Sequence, residues 1–178
     1  MNSLPKDSNQ KNFLKAAFLD RDGVINMDYG YVYLKKDFHL VRGVFDALRY
    51  LINLNYKIII ITNQSGIARG YYKERDFKKL SHYMNSLFKE AGINIQDIFY
   101  CPHHPNGKVI KYRKICHCRK PNNGMIEEAI SKYKIDREKS ILIGNSFLDI
   151  KAGEKSNIES FLFQSNNLCK FVVENIKS

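Results

Sequence analysis

The chain contains no tryptophan, and only four prolines and four cysteines occur among its 178 residues. It has no apolar run of membrane-spanning length and no charged-then-apolar segment at its start, so we expect a cytoplasmic protein without a membrane partner. Three of the cysteines lie between Cys101 and Cys118, and Cys169 stands apart. Metal binding explains this distribution better than the disulfide framework of a secreted protein.

Acidic residues are scarce relative to basic ones. The chain has 29 Lys and Arg against 18 Asp and Glu, a net charge of +11 that favours anionic partners. The segment from Ile98 to Ile126 has no acid and six cations, which are Lys108, Lys111, Arg113, Lys114, Arg119 and Lys120. The interleaved stacking aromatics of nucleic-acid-binding modules are missing. We therefore expect a small phosphorylated substrate rather than nucleic acid as the partner. A monomer is expected, although the sequence does not fix the oligomeric state.

Apolar runs alternate with helical patterns along the chain. We expect a polar tail over residues 1–13 and one domain over residues 14–178. Strands are predicted at Ala16–Leu19, at Lys57–Ile61, ending near Tyr100, at Ile141–Ile143 and at Ser160–Phe163. Helices are predicted at Val44–Asn53, Glu74–Ala91, Met125–Tyr133 and just after Asp149. This alternation predicts a three-layer, Rossmann-like α/β fold with a mostly parallel sheet.

Two carboxylates follow the first predicted strand. Asp20 and Asp22 come directly after the apolar run that ends at Leu19, and Gly23 then permits a tight turn. Open α/β sheets bind ligands at the carboxyl ends of their strands. One carboxylate could attack phosphorus and form an aspartyl-phosphate, while the other carries the proton for the leaving group. Taken alone, the pattern fits an ordinary strand-ending turn equally well.

Two further groups could complete a phosphoryl-transfer site. Thr62 follows the apolar run that ends at Ile61, and its hydroxyl and the next backbone amides could hold phosphoryl oxygens. An ordinary turn cap is the alternative for this stretch. Lys120 could neutralise both the nucleophile and the transferring group, and Arg119 could bind a substrate oxygen. Lys-Pro pairs are also common on solvated loops.

The fourth strand end has an amide where a carboxylate would complete a magnesium site. Asn145 follows the apolar run that ends at Ile143. It offers a carbonyl oxygen but no negative charge, whereas Mg²⁺ sites depend on carboxylates and substrate phosphate. Asp149 either orients the ligands of the metal site without binding the ion itself or caps the following helix.

The spacing of cysteine and histidine predicts a zinc site. Cys101 and His103 are followed, after twelve residues, by Cys116 and Cys118. Three thiols and one imidazole make a closed tetrahedral site with no position for water, so the zinc would be structural. Its expected task is to fold the loop that ends at Lys120.

The order of these elements resembles the haloacid dehalogenase superfamily of phosphatases and, within its histidinol-phosphatase-like branch, the heptose 1,7-bisphosphate 7-phosphatase family. The first motif alone would identify only the superfamily, whereas the later motifs together are specific to the family. The matching stretches span nearly all of the chain after the first dozen residues and are FLDRDGVIN (18–26), GYV (30–32), TNQSGIARG (62–70), CPHHPNG (101–107) and CRKP (118–121).

The resemblance implies a haloacid dehalogenase fold without a large cap domain. It implies a Mg²⁺-dependent phosphatase that removes the 7-phosphate of a heptose bisphosphate during nucleotide-activated heptose synthesis. Asp20 would be the nucleophile, Asp22 the general acid and base, and Thr62 and Lys120 the phosphoryl stabilisers. Zinc ligands would be Cys101, His103, Cys116 and Cys118. Substrate contacts would come from Asp28, Gly30, Tyr31, Asn63, Gln64, Ser65 and Arg119.

The resemblance also identifies a departure at the magnesium site. The family's Mg²⁺ ligands correspond to the carboxylate of Asp20, the backbone carbonyl of Asp22 and an aspartate at the position of Asn145. We therefore expect a working enzyme that demands more magnesium. The alternatives are a histidinol-phosphate phosphatase, or a phosphosugar-binding protein with little activity.

Overall fold

A computed structural model gives the structure of residues 13–177, so most of the expected tail lies outside the described residues. Within residues 13–177, five parallel strands form one sheet in the order β3-β2-β1-β4-β5. The mostly parallel sheet that the sequence predicts is confirmed. The strands are β1 (Ala16–Leu19), β2 (Lys57–Asn63), β3 (Ile95–Cys101), β4 (Ile141–Gly144) and β5 (Glu159–Leu162).

In the described part of the chain, six α-helices connect and cover these strands. They are α1 (Val44–Asn53), α2 (Ser65–Arg69), α3 (Glu74–Glu90), α4 (Gly124–Tyr133), α5 (Phe147–Glu154) and α6 (Leu168–Asn175). Two of them, α2 and α6, were not predicted, because five and eight residues are too few to establish a helical period. The prediction that a helix starts after Asp149 was wrong: α5 begins at Phe147 because Ser146 and Asp149 form a capping box around its first turn.

The sheet is covered on both faces because its strand residues alternate in direction. From β1, Ala17 and Leu19 pack with residues of α1, α3 and α6 on one face. Ala16 and Phe18 point to the other face and pack with residues of α4 and α5. All four β1 side chains are fully buried. Burial of a side chain as large as Phe18 contributes about 1.5–3 kcal/mol.

The strand order places a crevice at the carboxyl end of β1. From β1 the chain continues to β2 and β3 on one side of β1, whereas the later strands β4 and β5 lie on its other side. The direction in which strands are added therefore reverses between β1 and β4. Parallel α/β sheets bind ligands at such reversals. Within residues 13–177, no insertion is large enough to form a cap domain over this crevice. Over the same residues, every helix is too short or too polar to cross a membrane.

Candidate active site

Asp20 lies at the carboxyl end of β1, at the reversal of strand order. Its backbone N–H donates to the carbonyl of Ile143 on β4 at 3.0 Å, so the sheet ladder fixes its main chain. Its Oδ1 lies 2.9 Å from the Nζ of Lys120. Thr62 is buried two residues past Ile60, which pairs with Leu19 in the sheet. The structure thus brings together three of the predicted site residues, Asp20, Thr62 and Lys120.

Lys120 is buried, with 3% of its surface exposed, and its ammonium has three oxygen partners. Besides Asp20, it contacts Oδ1 of Asp149 at 2.5 Å and donates to the carbonyl of Ile61 at 3.0 Å. Burial by itself lowers the pKa of Lys120, but the two carboxylates raise it above its ordinary value. The lysine is therefore a fixed positive charge beside the Asp20 carboxylate.

Asn63 holds the main chain of Lys120 against the end of β2. Its Oδ1 accepts from the Lys120 backbone N–H, and its Nδ2 donates to the Lys120 carbonyl, both at 3.1 Å. These bonds cross 57 residues of sequence. The side-chain amide that the sequence suggested as a substrate contact is thus occupied in positioning Lys120.

Both carboxylate oxygens of Asp22 accept hydrogen bonds from neighbouring side chains. The guanidinium of Arg21 contacts both oxygens at 2.8 Å, and Nδ2 of Asn26 donates to Oδ1 at 3.0 Å. Nε2 of Gln64 donates to Oδ2 at 2.9 Å. Arg21 is 1% exposed and also donates to the carbonyl of Val32 at 2.7 Å, which fixes its orientation. The carboxylate of Asp22 therefore has a defined position close to Asp20.

The charges at this edge of the sheet do not balance. Three carboxylates, those of Asp20, Asp22 and Asp149, face two cations, Arg21 and Lys120. Burial raises the pKa of Asp20 to about 7, and the neighbouring carboxylates add to this, although the Lys120 ammonium opposes it. A further cation beside Asp20 would compensate the excess negative charge.

The oxygen atoms that Asp20, Asp22 and Asn145 can offer are hard ligands of the kind that Mg²⁺ prefers. Asn145 lies against the turn that follows Asp22. A methyl group added to Gly23 would come within 2.0 Å of the Asn145 Nδ2, so the bare glycine makes room for this amide. The Asn145 side chain therefore lies beside the loop that carries the two carboxylates.

The four predicted zinc ligands come together in the structure. Ligand atoms of Cys101, His103, Cys116 and Cys118 all lie within 4.8 Å of one another. The three sulfurs are 3.2–3.5 Å apart, too far for a disulfide. Zn–S bonds of about 2.3 Å imply sulfur separations of roughly 3.8 Å, so the donor set and spacing fit a tetrahedral metal. The neighbouring Cys101 side chain lowers the pKa of Cys118 to about 5, which favours a thiolate.

The remaining predicted substrate contacts lie on loops. Oδ1 of Asp28 accepts from the Gly30 N–H at 2.8 Å, which shapes a turn that exposes Tyr31. Arg119 contacts the carbonyl of His103 at 3.5 Å, next to the metal ligands. Ser65 is the first residue of α2 and is partly buried.

Four residues of the site were missed from the sequence: Arg21, Asn26, Tyr72 and, as a direct partner of Lys120, Asp149. Asp149 had a recognisable signal, because Ser146 followed three residues later by an acid is a capping-box pattern. The same carboxylate caps α5 through Oδ2 and pairs with Lys120 through Oδ1. The capping role that the sequence left open for Asp149 is therefore confirmed, and its support of a magnesium site stays a prediction.

Comparisons with known proteins give the family. A family model described as "Polynucleotide kinase 3 phosphatase" matches residues 15–165. The D-glycero-alpha-D-manno-heptose-1,7-bisphosphate 7-phosphatase of Photorhabdus laumondii is 49% identical over 149 residues, which are 84% of this chain and 81% of the relative. The chain belongs to the heptose 1,7-bisphosphate 7-phosphatase family.

Other members of the heptose 1,7-bisphosphate 7-phosphatase family agree. The D-glycero-beta-D-manno-heptose-1,7-bisphosphate 7-phosphatase of Haemophilus influenzae is 48% identical over 78% of this chain and 75% of its own. The fold is that of solved haloacid dehalogenase-like phosphatases, as predicted. Among them, D,D-heptose 1,7-bisphosphate phosphatase from B. bronchiseptica, complexed with magnesium and phosphate, aligns with a TM-score of 0.76 at 28% identity, covering 93% of this chain and 89% of that one.

Proposed function

We propose that this chain hydrolyses the 7-phosphate of D-glycero-D-manno-heptose 1,7-bisphosphate and releases heptose 1-phosphate and inorganic phosphate. The observation that carries the proposal is the Asp20 carboxylate held 2.9 Å from the buried Lys120 ammonium at the reversal of strand order. The substrate follows from the names of relatives that are 48–49% identical. The product would enter nucleotide-activated heptose synthesis.

The first step is in-line attack of Asp20 on the 7-phosphorus. An Oδ of Asp20 forms a bond to phosphorus, the bond between phosphorus and the sugar oxygen breaks, and Asp22 gives its proton to that oxygen. Lys120 and the hydroxyl of Thr62 stabilise the charge on the phosphoryl oxygens. The enzyme is then an aspartyl-phosphate.

The second step returns the enzyme to its starting state. Asp22 takes a proton from a water molecule, whose oxygen attacks phosphorus as the bond to Asp20 breaks. Inorganic phosphate leaves, and Asp22 again carries the proton for the next cycle. Arg119 and the loop from Asp28 to Tyr31 are proposed to contact the rest of the substrate.

Two metal ions are part of the proposal. Asp20, the Asp22 carbonyl and Asn145 would hold Mg²⁺, which supplies positive charge to the phosphoryl oxygens when bound. Cys101, His103, Cys116 and Cys118 would hold a structural Zn²⁺. Both donor sets suit these ions: hard oxygens for magnesium, and thiolates with an imidazole for zinc.

Phosphate release with titrated Mg²⁺ tests the proposal. The substrates are both anomers of heptose 1,7-bisphosphate, with histidinol phosphate alongside. We expect release from at least one heptose bisphosphate and little from histidinol phosphate. Asp20→Asn should lower the rate at least about 10³-fold. Asp46→Asn is the matched control, because Asp46 is an exposed residue of α1. Release from histidinol phosphate alone, or from no substrate by a folded, zinc-loaded protein, would overturn the proposal.

A further inference from the structure

Gln64 lies behind the active site, and every polar atom of its side-chain amide is engaged. It is 2% exposed, and Nε2 donates to Oδ2 of Asp22 at 2.9 Å and to Oγ1 of Thr62 at 2.8 Å. Its Oε1 accepts a hydrogen bond from the hydroxyl of Tyr72 at 2.6 Å. The side chain that the sequence suggested as a substrate contact therefore joins Tyr72 to two residues of the proposed mechanism.

Tyr72 is held rigidly in this position. It is 6% exposed, and its ring stacks on that of Tyr33 with centroids 4.9 Å apart and an angle of 12° between the rings. A methyl group added to Gly66 would come within 2.2 Å of the Tyr72 ring, so only glycine allows this approach. Burial raises the pKa of the Tyr72 hydroxyl above its ordinary value, and the group remains a proton donor at neutral pH.

The hydroxyl of Tyr72 and the carboxylate of Asp22 together orient the Gln64 amide. An amide has a donor end and an acceptor end, and its partners decide the orientation. With Oε1 bound to Tyr72, the NH₂ group points to Asp22 and Thr62. If the amide turned over, its oxygen would face Asp22 in place of the NH₂ group, and Asp22 would lose a donor that fixes its position.

We propose that Gln64 and Tyr72 are positioning residues for the proton transfers of Asp22. Tyr72 acts through Gln64, whose NH₂ group completes the set of donors that Arg21 and Asn26 begin around the Asp22 carboxylate. The inference rests on the proposed function and assigns a role to two residues outside its chemical steps. It applies to Thr62 as well, because a hydroxyl that accepts from Gln64 keeps its own proton free for a phosphoryl oxygen.

Tyr72→Phe tests the inference, since it removes one hydroxyl and keeps the ring. The rate of alcohol release in a single turnover is measured by rapid quench for heptose 1,7-bisphosphate and for p-nitrophenyl phosphate. The sugar alkoxide is a poor leaving group that needs the proton of Asp22, whereas nitrophenolate leaves without one. We expect the rate with the heptose ester to fall about 10-fold at unchanged KM, and the rate with the aryl ester to fall no more than about threefold.

Two variants make the test specific. Tyr33→Phe is the matched control, because it removes a hydroxyl from the ring stacked on Tyr72 and leaves the Tyr72–Gln64 bond intact; it should behave as wild type. Gln64→Ala should show the same dependence on leaving group as Tyr72→Phe. Adding Tyr72→Phe to Gln64→Ala should then cost less than about twofold more, because Tyr72 has lost the residue through which it acts.

The outcomes separate the inference from the proposed function. Equal losses with both esters in Tyr72→Phe, or full additivity in the double variant, would overturn the inference by showing a general structural effect. A Tyr72→Phe enzyme indistinguishable from an active wild type would overturn it too, and would leave the proposed function standing. A folded wild-type protein that releases no phosphate from heptose bisphosphate would overturn both.

Discussion

The Oδ1 atom of Asp149 lies 2.5 Å from the Nζ of Lys120, deep in the protein, where both side chains are at most 3% exposed. The other oxygen of Asp149 accepts hydrogen bonds from the backbone and hydroxyl of Ser146. A methyl group added to Gly144 would come within 2.1 Å of Asp149, so this glycine permits the close approach. One carboxylate thus ties the cap of α5 to the lysine of the active site.

Asp149→Asn should weaken both stability and activity. The substitution leaves the buried Lys120 with one carboxylate, Asp20, and a hydrogen bond to a charged group is worth about 1.5–3 kcal/mol. We expect the free energy of unfolding to fall by about this amount and kcat to fall roughly 10-fold or more. Denaturant titration and steady-state kinetics measure the two effects.

The control for Asp149→Asn is Asp76→Asn. Asp76 has the same place in the capping box of α3, but its side chain is 29% exposed. It should lose some stability and keep its activity. Equal kcat values for the two variants would mean that the ion pair with Lys120 has no part in the reaction.

Asn145→Asp should reduce the demand for magnesium. An aspartate adds a negative charge beside the loop that carries Asp20 and Asp22, where hard anionic oxygens bind Mg²⁺. We expect the Mg²⁺ concentration for half-maximal phosphate release to fall about 10-fold to 100-fold, if the effect resembles other changes around metal ligands. Asn106→Asp, on an exposed stretch of the loop between Cys101 and Cys118, is the control. Coincident Mg²⁺ activation curves for wild type and Asn145→Asp would contradict the prediction.

Cys116→Ser should remove the zinc ion and disturb Lys120. The loop from Cys101 to Cys118 leads directly into Lys120, whose main chain must reach Asn63. We expect about one zinc per wild-type chain by elemental analysis, a marked loss of zinc in the variant, and a lower kcat together with faster proteolysis of the loop.

The control for Cys116→Ser is Cys169→Ser, because Cys169 is a residue of α6 that packs against the core formed with α1, away from the predicted metal ligands. It should retain zinc and activity. A Cys116→Ser protein with normal zinc content and normal turnover would show that this cysteine is not a ligand.

Glu74 should contribute stability that depends on pH. The hydroxyls of Tyr100 and Tyr112 both donate to its carboxylate and lower its pKa from about 4.5 to about 2. Because the folded-state pKa is the lower one, the contribution is present above pH 4.5 and is lost as the pH falls through about 2. The carboxylate thus connects Tyr112, in the loop between Cys101 and Cys118, to the start of α3.

Thermal unfolding of Glu74→Gln and wild type, both with the zinc chelated, checks this dependence. The difference in Tm should be greatest above pH 4.5 and should shrink toward pH 2. A difference that stayed constant over this range would show that Glu74 acts through packing rather than charge.

Local patterns predicted the strands, the longer helices and the side chains at the strand ends, although β2 continues through Thr62 to Asn63. The apolar run before Asp20 predicted β1, and the three- and four-residue spacing from Phe77 to Phe88 predicted α3 within a residue of its end. The short helices α2 and α6 were not predicted, because so few residues do not show a clear helical period of apolar side chains. Gln64 shows a further limit: its type suited a substrate contact, but its burial depends on Tyr72 and could not be read locally.

The sequence by itself determined the alternation of strands and helices, the type of chemistry at each strand end and the four candidate zinc ligands. These follow from the periods of apolar side chains and from the chemistry of residue types, both of which are local properties. Only the tertiary structure decided that Asp149 shares Lys120 with Asp20, that Asn63 holds the main chain of Lys120, and that Gln64 faces Asp22. Such contacts join residues up to about a hundred positions apart, because they depend on the order in which strands pack in the sheet.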